Sequence, residues 1–212
     1  MEIKIKLNNN KHRYQVFEII NLFYSFTHIL FVEDDSWDFN IVIYENAMEI
    51  EDSESTHQME FQSGLTKNEN IKKIVFLYFG RRIKKDLPWG TLVGIRPSKI
   101  ALKLIEEGKN GKYIAEYFHR HFCCRQNKSK LCFDIANSEK NIVNSDSRSV
   151  SVYIGMPFCP SRCVYCSFAS NPIEKFRGVV DDYLCSLVHE VRQISDYIKM
   201  HDLNIECVYF GG

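Results

Sequence analysis

Residues 2–7, Glu-Ile-Lys-Ile-Lys-Leu, alternate polar and apolar side chains, the period-two pattern of a half-buried strand. The spacing changes over 14–26, where Val16, Ile19, Ile20, Phe23 and Phe26 recur every three or four residues and predict a helix. Residues 40–50 read as one further strand, and the polar run 51–70, with its Ser and Gly, as a loop or irregular hairpin. Ile71, Ile74, Val75, Leu77, Tyr78 and Ile83 predict a helix over 71–85, stopped at Leu87-Pro88-Trp89-Gly90, where proline removes a backbone donor and glycine permits the turn. Gly94-Ile95-Arg96-Pro97-Ser98-Lys99 opens the next helix with Pro97 in its first turn; Ile100, Leu102, Leu104 and Ile105 fill its body and Gly108 ends it. Two more helices are predicted near 112–122 and 126–142.

The run Asn144-Ser145-Asp146-Ser147-Arg148-Ser149 has linker composition and predicts a boundary between an α+β domain over 1–145 and a second unit over 150–212. In that second unit the pattern is strand (150–155), loop (156–171), helix (about 174–200) and strand (205–210). Val180, Leu184, Leu187, Val191, Ile194 and Ile198 share one helix face, which suits packing on a sheet. This is a βαβ unit, expected to have parallel strands and a right-handed crossover. The fold class is therefore α/β.

Composition narrows the functional classes. The 27 basic and 27 acidic side chains of the 212 residues cancel, so no overall field points to nucleic acid or an anionic membrane. With 45% apolar and 13% aromatic residues the chain has ample material for a core. The opening residues lack the unbroken apolar segment of a signal peptide, and no stretch approaches the roughly 20 apolar residues of a membrane span, so a cytoplasmic protein is expected. In that reducing compartment the 8 cysteines are expected as thiols or metal ligands.

Cys159, Cys163 and Cys166 form a C-x3-C-x2-C loop directly after the strand at 150–155. Three thiolates can hold three irons of a cubane cluster and leave one iron open, whereas a closed zinc site takes four protein ligands. A zinc site completed by His119, His121 or Cys132 is the alternative. Cys123, Cys124, Cys132, Cys185 and Cys207 lack ligand spacing, sit among apolar residues and are expected to be buried.

Tyr153 six positions before Cys159, the triplet Pro157-Phe158-Cys159, Tyr165 between the last two cysteines, and Tyr209-Phe210-Gly211-Gly212 downstream together resemble the start of the radical S-adenosylmethionine (SAM) barrel. The likeness is to oxygen-independent coproporphyrinogen III oxidases, also called coproporphyrinogen dehydrogenases. Leu87 to Lys99 resembles the N-terminal extension of one branch of that family.

The resemblance implies a TIM-like barrel of which 150–212 is the first βαβ unit. It implies a [4Fe-4S] cluster on Cys159, Cys163 and Cys166, with SAM contacted by Tyr153, Tyr165 and the backbone of Gly211 and Gly212. Electrons would come from a flavodoxin or ferredoxin. The implied reaction is oxidative decarboxylation of two propionates of coproporphyrinogen III to vinyls, giving protoporphyrinogen IX. Arg96 and Lys99, and the cations Arg81, Arg82, Lys84 and Lys85, are candidate partners for the propionates, set against ordinary structural and surface roles. A full barrel takes about 250 residues, so the chain reads as the N-terminal part of a longer enzyme, inactive by itself.

Two positions depart from the family pattern. Phe168 stands where the best-known decarboxylases place a further cysteine, and Gly155 where they commonly place histidine. Both bring the loop closer to relatives thought to carry haem without making it, so a haem-binding trafficking protein is the second functional expectation. Tyr153 also has a plainer reading, as a strand-core residue whose hydroxyl meets a backbone group.

Overall fold

The alternation at 2–7 forms strand β1 (Glu2–Leu7), which buries Ile3 and Ile5 on one face and leaves Lys4 and Lys6 partly exposed on the other. The computed structural model describes residues 2–24, 28–142, 146–164, 166 and 168–211. The chain divides into two units, Met1–Ile142 and Val143–Gly212. Phe26, at the end of the first predicted helix, and Asn144 and Ser145 of the predicted linker lie outside the described residues.

In the first unit β1 is followed by α1 (Arg13–Phe23), β2 (His28–Val32), β3 (Phe39–Ile43), β4 (Ala47–Glu51) and β5 (Thr56–Glu60). They make one mixed sheet of order β2-β1-β3-β4-β5, with β1 parallel to β2 and β3, and β3, β4 and β5 antiparallel in succession. The single strand predicted over 40–50 is thus a hairpin, its turn closed by Tyr44 N–H donating to Ala47 O at 2.9 Å. The polar run 51–70 holds β5 and the first turn of α2 (Lys67–Ile83). Thr66 caps that helix: its hydroxyl accepts from the Glu69 amide while Glu69 reaches back to the Thr66 amide, which satisfies two donors otherwise left bare at a helix start.

Ile3, Ile5, Phe39, Ile41, Ile43, Met48 and Ile50 from the sheet meet Val16, Ile19 and Ile20 of α1 and Ile71, Val75 and Phe79 of α2 in one apolar core. Phe79 is fully buried, with its ring edge-on to Phe39 at 4.9 Å and to Tyr78 at 5.1 Å between centroids. A second apolar cluster joins α3 (Pro97–Glu106), α4 (Gly111–Phe122) and α5 (Gln126–Glu139) through Leu104, Ile114, Phe118 and Cys132.

In the second unit β6 (Ser149–Gly155) pairs in parallel with β9 (Asn204–Gly211), in a register that sets Tyr153 beside Tyr209 and Gly155 beside Gly211. Between them lie two-residue strands β7 (Phe158–Cys159) and β8 (Asn171–Pro172), the short helix α6 (Ile173–Phe176) and α7 (Val180–Met200). The expected helix face does not lie buried on the sheet: α7 has no buried residue, and Leu184, Val191 and Ile194 are exposed. Two strands offer too little surface to cover a helix of this length.

Candidate functional site

Strand β6 ends at Gly155, and the cysteine loop leaves from there. The Met156 amide donates to Gly211 O at 2.7 Å, extending the β6–β9 ladder by one bond and bringing the loop entrance against the end of β9. Phe158 and Cys159 then pair with Asn171 and Pro172, and the Asn171 amide donates to Pro157 O at 2.9 Å. These contacts close the mouth of the loop that carries all three cysteines. Tyr183, at the start of α7, holds the entrance from the other side: its hydroxyl donates to Gly155 O at 2.5 Å and its ring stands edge-on to Phe158 at 5.3 Å.

Within the loop the Cys166 amide donates to Cys163 O at 3.0 Å, a turn that brings those two positions to the same stretch, and Arg162 reaches Cys166 O at 3.4 Å. Cys159 and Cys166 are half-buried, Cys163 is exposed, and all three are free thiols. Among the described residues no group of three or more His, Cys, Asp or Glu side chains stands as a metal site, so the three thiols share one closed loop without forming a finished cage. The donor set nevertheless fits a three-thiolate cluster. The loop holds no fourth cysteine and no histidine, which a four-coordinate zinc site would need. Two of the residues considered for zinc are engaged elsewhere: His121 pairs with Glu69 at 2.8 Å and stacks on Tyr117 at 3.9 Å, and Cys132 is buried in the helical cluster of the first unit.

Tyr153 is 61% exposed, not a core residue, and its ring stacks on Tyr209 at 5.6 Å with 21° between planes. Gly211 lies beneath both rings. Tyr165 and Gly212 lie outside the described residues. The cysteines expected to be buried divide: Cys124 and Cys132 are buried, Cys123 is half-buried, and Cys185 and Cys207 are exposed on α7 and β9, where their apolar neighbours Leu184 and Val208 are exposed as well.

Three of the candidate cations of the first unit have structural roles. Arg82 pairs with Asp52 at 2.6 Å and lies 3.5 Å from Glu54, and Lys85 donates to Leu22 O at 2.9 Å. Arg96 is the N-cap of α3, its carbonyl accepting from the Lys99 amide at 3.2 Å. The sequence reading gave Tyr183 no role and named Tyr209 only as part of the downstream motif. Tyr183 carried no signal beyond its place near the start of an amphipathic helix, and the pairing of Tyr209 with Tyr153 follows only from the parallel register.

Comparison with known proteins agrees with the motif. Over 127 residues, 58% of this chain, it is 33% identical to the oxygen-independent coproporphyrinogen-III oxidase-like protein HemZ of Bacillus subtilis (strain 168). Over 80 residues, 37% of the chain, it is 28% identical to the anaerobilin synthase of Escherichia coli O157:H7. The resemblance to the radical-SAM coproporphyrinogen oxidase-like proteins read from the cysteine loop therefore stands. The matched regions cover 25% of the first relative and 18% of the second, so the chain spans only a minor part of either. No family model and no solved structure matches. Among the described residues no helix is long and apolar enough to cross a membrane.

Proposed function

We propose that residues 150–212 are the opening βαβ unit of a radical-SAM barrel and that residues 1–145 form an extension domain preceding it. In this reading Cys159, Cys163 and Cys166 ligate a [4Fe-4S] cluster, and Tyr153, Tyr165, Gly211 and Gly212 line the place of SAM. The observation that carries the reading is a three-thiol loop closed at its mouth and seated at the carboxyl ends of two parallel strands, where parallel barrels keep their active sites. When bound, the cluster supplies an electron that cleaves SAM to methionine and a carbon radical. The chain's own contribution is to present three thiolates on one loop, to keep the loop entrance against the end of β9 through Met156 and Tyr183, and to offer an aromatic face at Tyr153 and Tyr209.

The whole protein is then an oxidoreductase acting on a porphyrinogen in a reducing cytoplasm, with coproporphyrinogen III as substrate, two propionates converted to vinyls, and a flavodoxin or ferredoxin as donor. Haem carriage is the second reading, and Phe168, exposed on the loop where the decarboxylase pattern has cysteine, favours it. The two relatives, named as oxidase-like and as a synthase, favour chemistry over carriage.

Anaerobic reconstitution with iron and sulfide tests the assignment. The expected product is a brown protein with about four irons per chain, lost on replacing Cys159, Cys163 or Cys166 singly by alanine and retained in Cys185→Ala. Stoichiometric zinc uptake with no iron would sink the reading.

A further inference from the structure

We infer that Tyr209 is a positioning residue for Tyr153, and that Gly211, having no side chain, leaves the space in which the two tyrosine rings lie. The inference rests on the reading that this strand end receives SAM, and it adds residues to that site.

The register places Tyr153 and Tyr209 side by side on one face of the β6–β9 pair, with ring planes 21° apart. Both rings are 61% exposed, so no core packing fixes them. What holds Tyr153 is the ring beside it and the absence of side chains below. A Cβ on Gly211 would lie 2.5 Å from Tyr209 Cε1, 3.0 Å from the Tyr153 hydroxyl and 3.2 Å from Tyr153 Cε2. A Cβ on Gly155 would lie 3.2 Å from Tyr153 Cε1. Neither glycine has the positive φ that would demand glycine for backbone reasons, so the ring contacts are what a larger residue would have to displace. At Gly155, where the family pattern has histidine, a side chain would ask the Tyr153 ring to give by a few tenths of an ångström. An offset pair of exposed rings over a glycine floor is suited to a flat aromatic partner such as a purine, which stacks on aromatic faces.

The experiment has two readouts. The chain is labelled with 3-fluorotyrosine, and the Tyr153 fluorine resonance, assigned from Tyr153→Phe, is followed in Tyr209→Leu, Tyr209→Phe, Gly211→Ala and the double variant Tyr209→Leu/Gly211→Ala, without cluster or SAM. Tyr209→Leu and Gly211→Ala are expected to shift the resonance and Tyr209→Phe to leave it near wild type. The double variant should shift the resonance beyond Tyr209→Leu alone, because the contacts of Gly211→Ala with Tyr153 at 3.0 and 3.2 Å remain. SAM binding is then measured by equilibrium dialysis on the same variants of the reconstituted whole protein. Tyr209→Leu should lose roughly two- to tenfold in affinity and Tyr209→Phe should recover it. An unmoved Tyr153 resonance, or wild-type SAM affinity in Tyr209→Leu beside weakened binding in Tyr153→Leu, overturns the inference. A reconstituted whole protein that takes up iron and binds no SAM overturns the proposed function itself, and with it any role of Tyr209 in that binding.

Discussion

The Tyr78 hydroxyl donates its proton to the buried carboxylate of Asp52, across the gap between α2 and the β4–β5 turn. The same carboxylate accepts the Glu54 and Ser55 amides at 2.8 and 2.9 Å and pairs with Arg82, so a buried charge has four donors around it. The arrangement ties the turn before the edge strand β5 to the last turns of α2. Removing one donor leaves part of a buried charge unsatisfied, so Tyr78→Phe is expected to cost about 1–3 kcal/mol in a urea titration.

Acid should loosen this tie. Burial by itself raises the Asp52 pKa, but the bonds from Tyr78 and the two amides, with the charge of Arg82, outweigh it and hold the carboxyl below its usual range. A folded pKa below the unfolded one means the native state binds fewer protons. The contribution is then complete above the unfolded value, about 4, and is lost as pH falls through the folded value. Unfolding free energy measured from roughly pH 3 to 6 should therefore fall on the acid side in the wild type and fall less steeply in Asp52→Asn.

Gly90 is expected to tolerate no side chain. Its φ is +62°, and a Cβ there would lie 1.9 Å from the Phe122 carbonyl oxygen, a backbone atom that cannot swing aside. That carbonyl accepts the Thr91 amide at 2.8 Å, so a shift would also break a bond joining the turn to the end of α4. Gly90→Ala should lower stability by at least about 1–3 kcal/mol, seen as a lower midpoint in thermal melts.

Thiol labelling should separate the cysteines by place. Cys124 and Cys132 are buried, and burial, with the neighbouring Cys132, pushes the Cys124 thiol up to about 11. At about pH 8 its thiolate fraction is on the order of one in a thousand. Mass spectrometry after brief iodoacetamide treatment of the native chain should find Cys163, Cys185 and Cys207 modified first and Cys124 and Cys132 unmodified until denaturant is added. Early modification of Cys124 or Cys132 would contradict the packing of the helical cluster.

The cap of α2 gives a further measurement. Thr66→Ala removes the side chain that accepts the Glu69 amide, and about 1 kcal/mol of stability should go with it.

That cap also shows where the sequence could be read and where it was passed over. Thr66 followed three residues later by Glu69 is a capping-box signature, yet the polar composition of 51–70 suggested a loop, and α2 begins earlier than predicted. Strand β5, Thr-His-Gln-Met-Glu, is mostly exposed at the sheet edge and so carries no apolar alternation to betray it. The hairpin over 40–50 has no glycine or proline at its turn, and Phe39, Ile41, Ile43, Met48 and Ile50 run through as one apolar series. In contrast β1, α3 and the β6–α7–β9 order were legible, because each follows a single period with a clear boundary. The candidate site was legible as far as spacing reaches, which gives three cysteines but not their enclosure. The stack of Tyr153 on Tyr209 depends on strand register, a long-range property that no local pattern encodes.

The two-residue pairing of β7 with β8 has a thermodynamic consequence for whatever the three thiols hold. A free segment of that length would surrender roughly 2 kcal/mol of chain entropy to bring its ends together. Here Phe158 and Cys159 meet Asn171 and Pro172, and the Asn171 amide bonds Pro157 O. Where that ordering is done during folding, a ligand held as proposed by Cys159, Cys163 and Cys166 would have only the inside of the loop left to arrange, and would bind more tightly than to the same cysteines in a linear peptide.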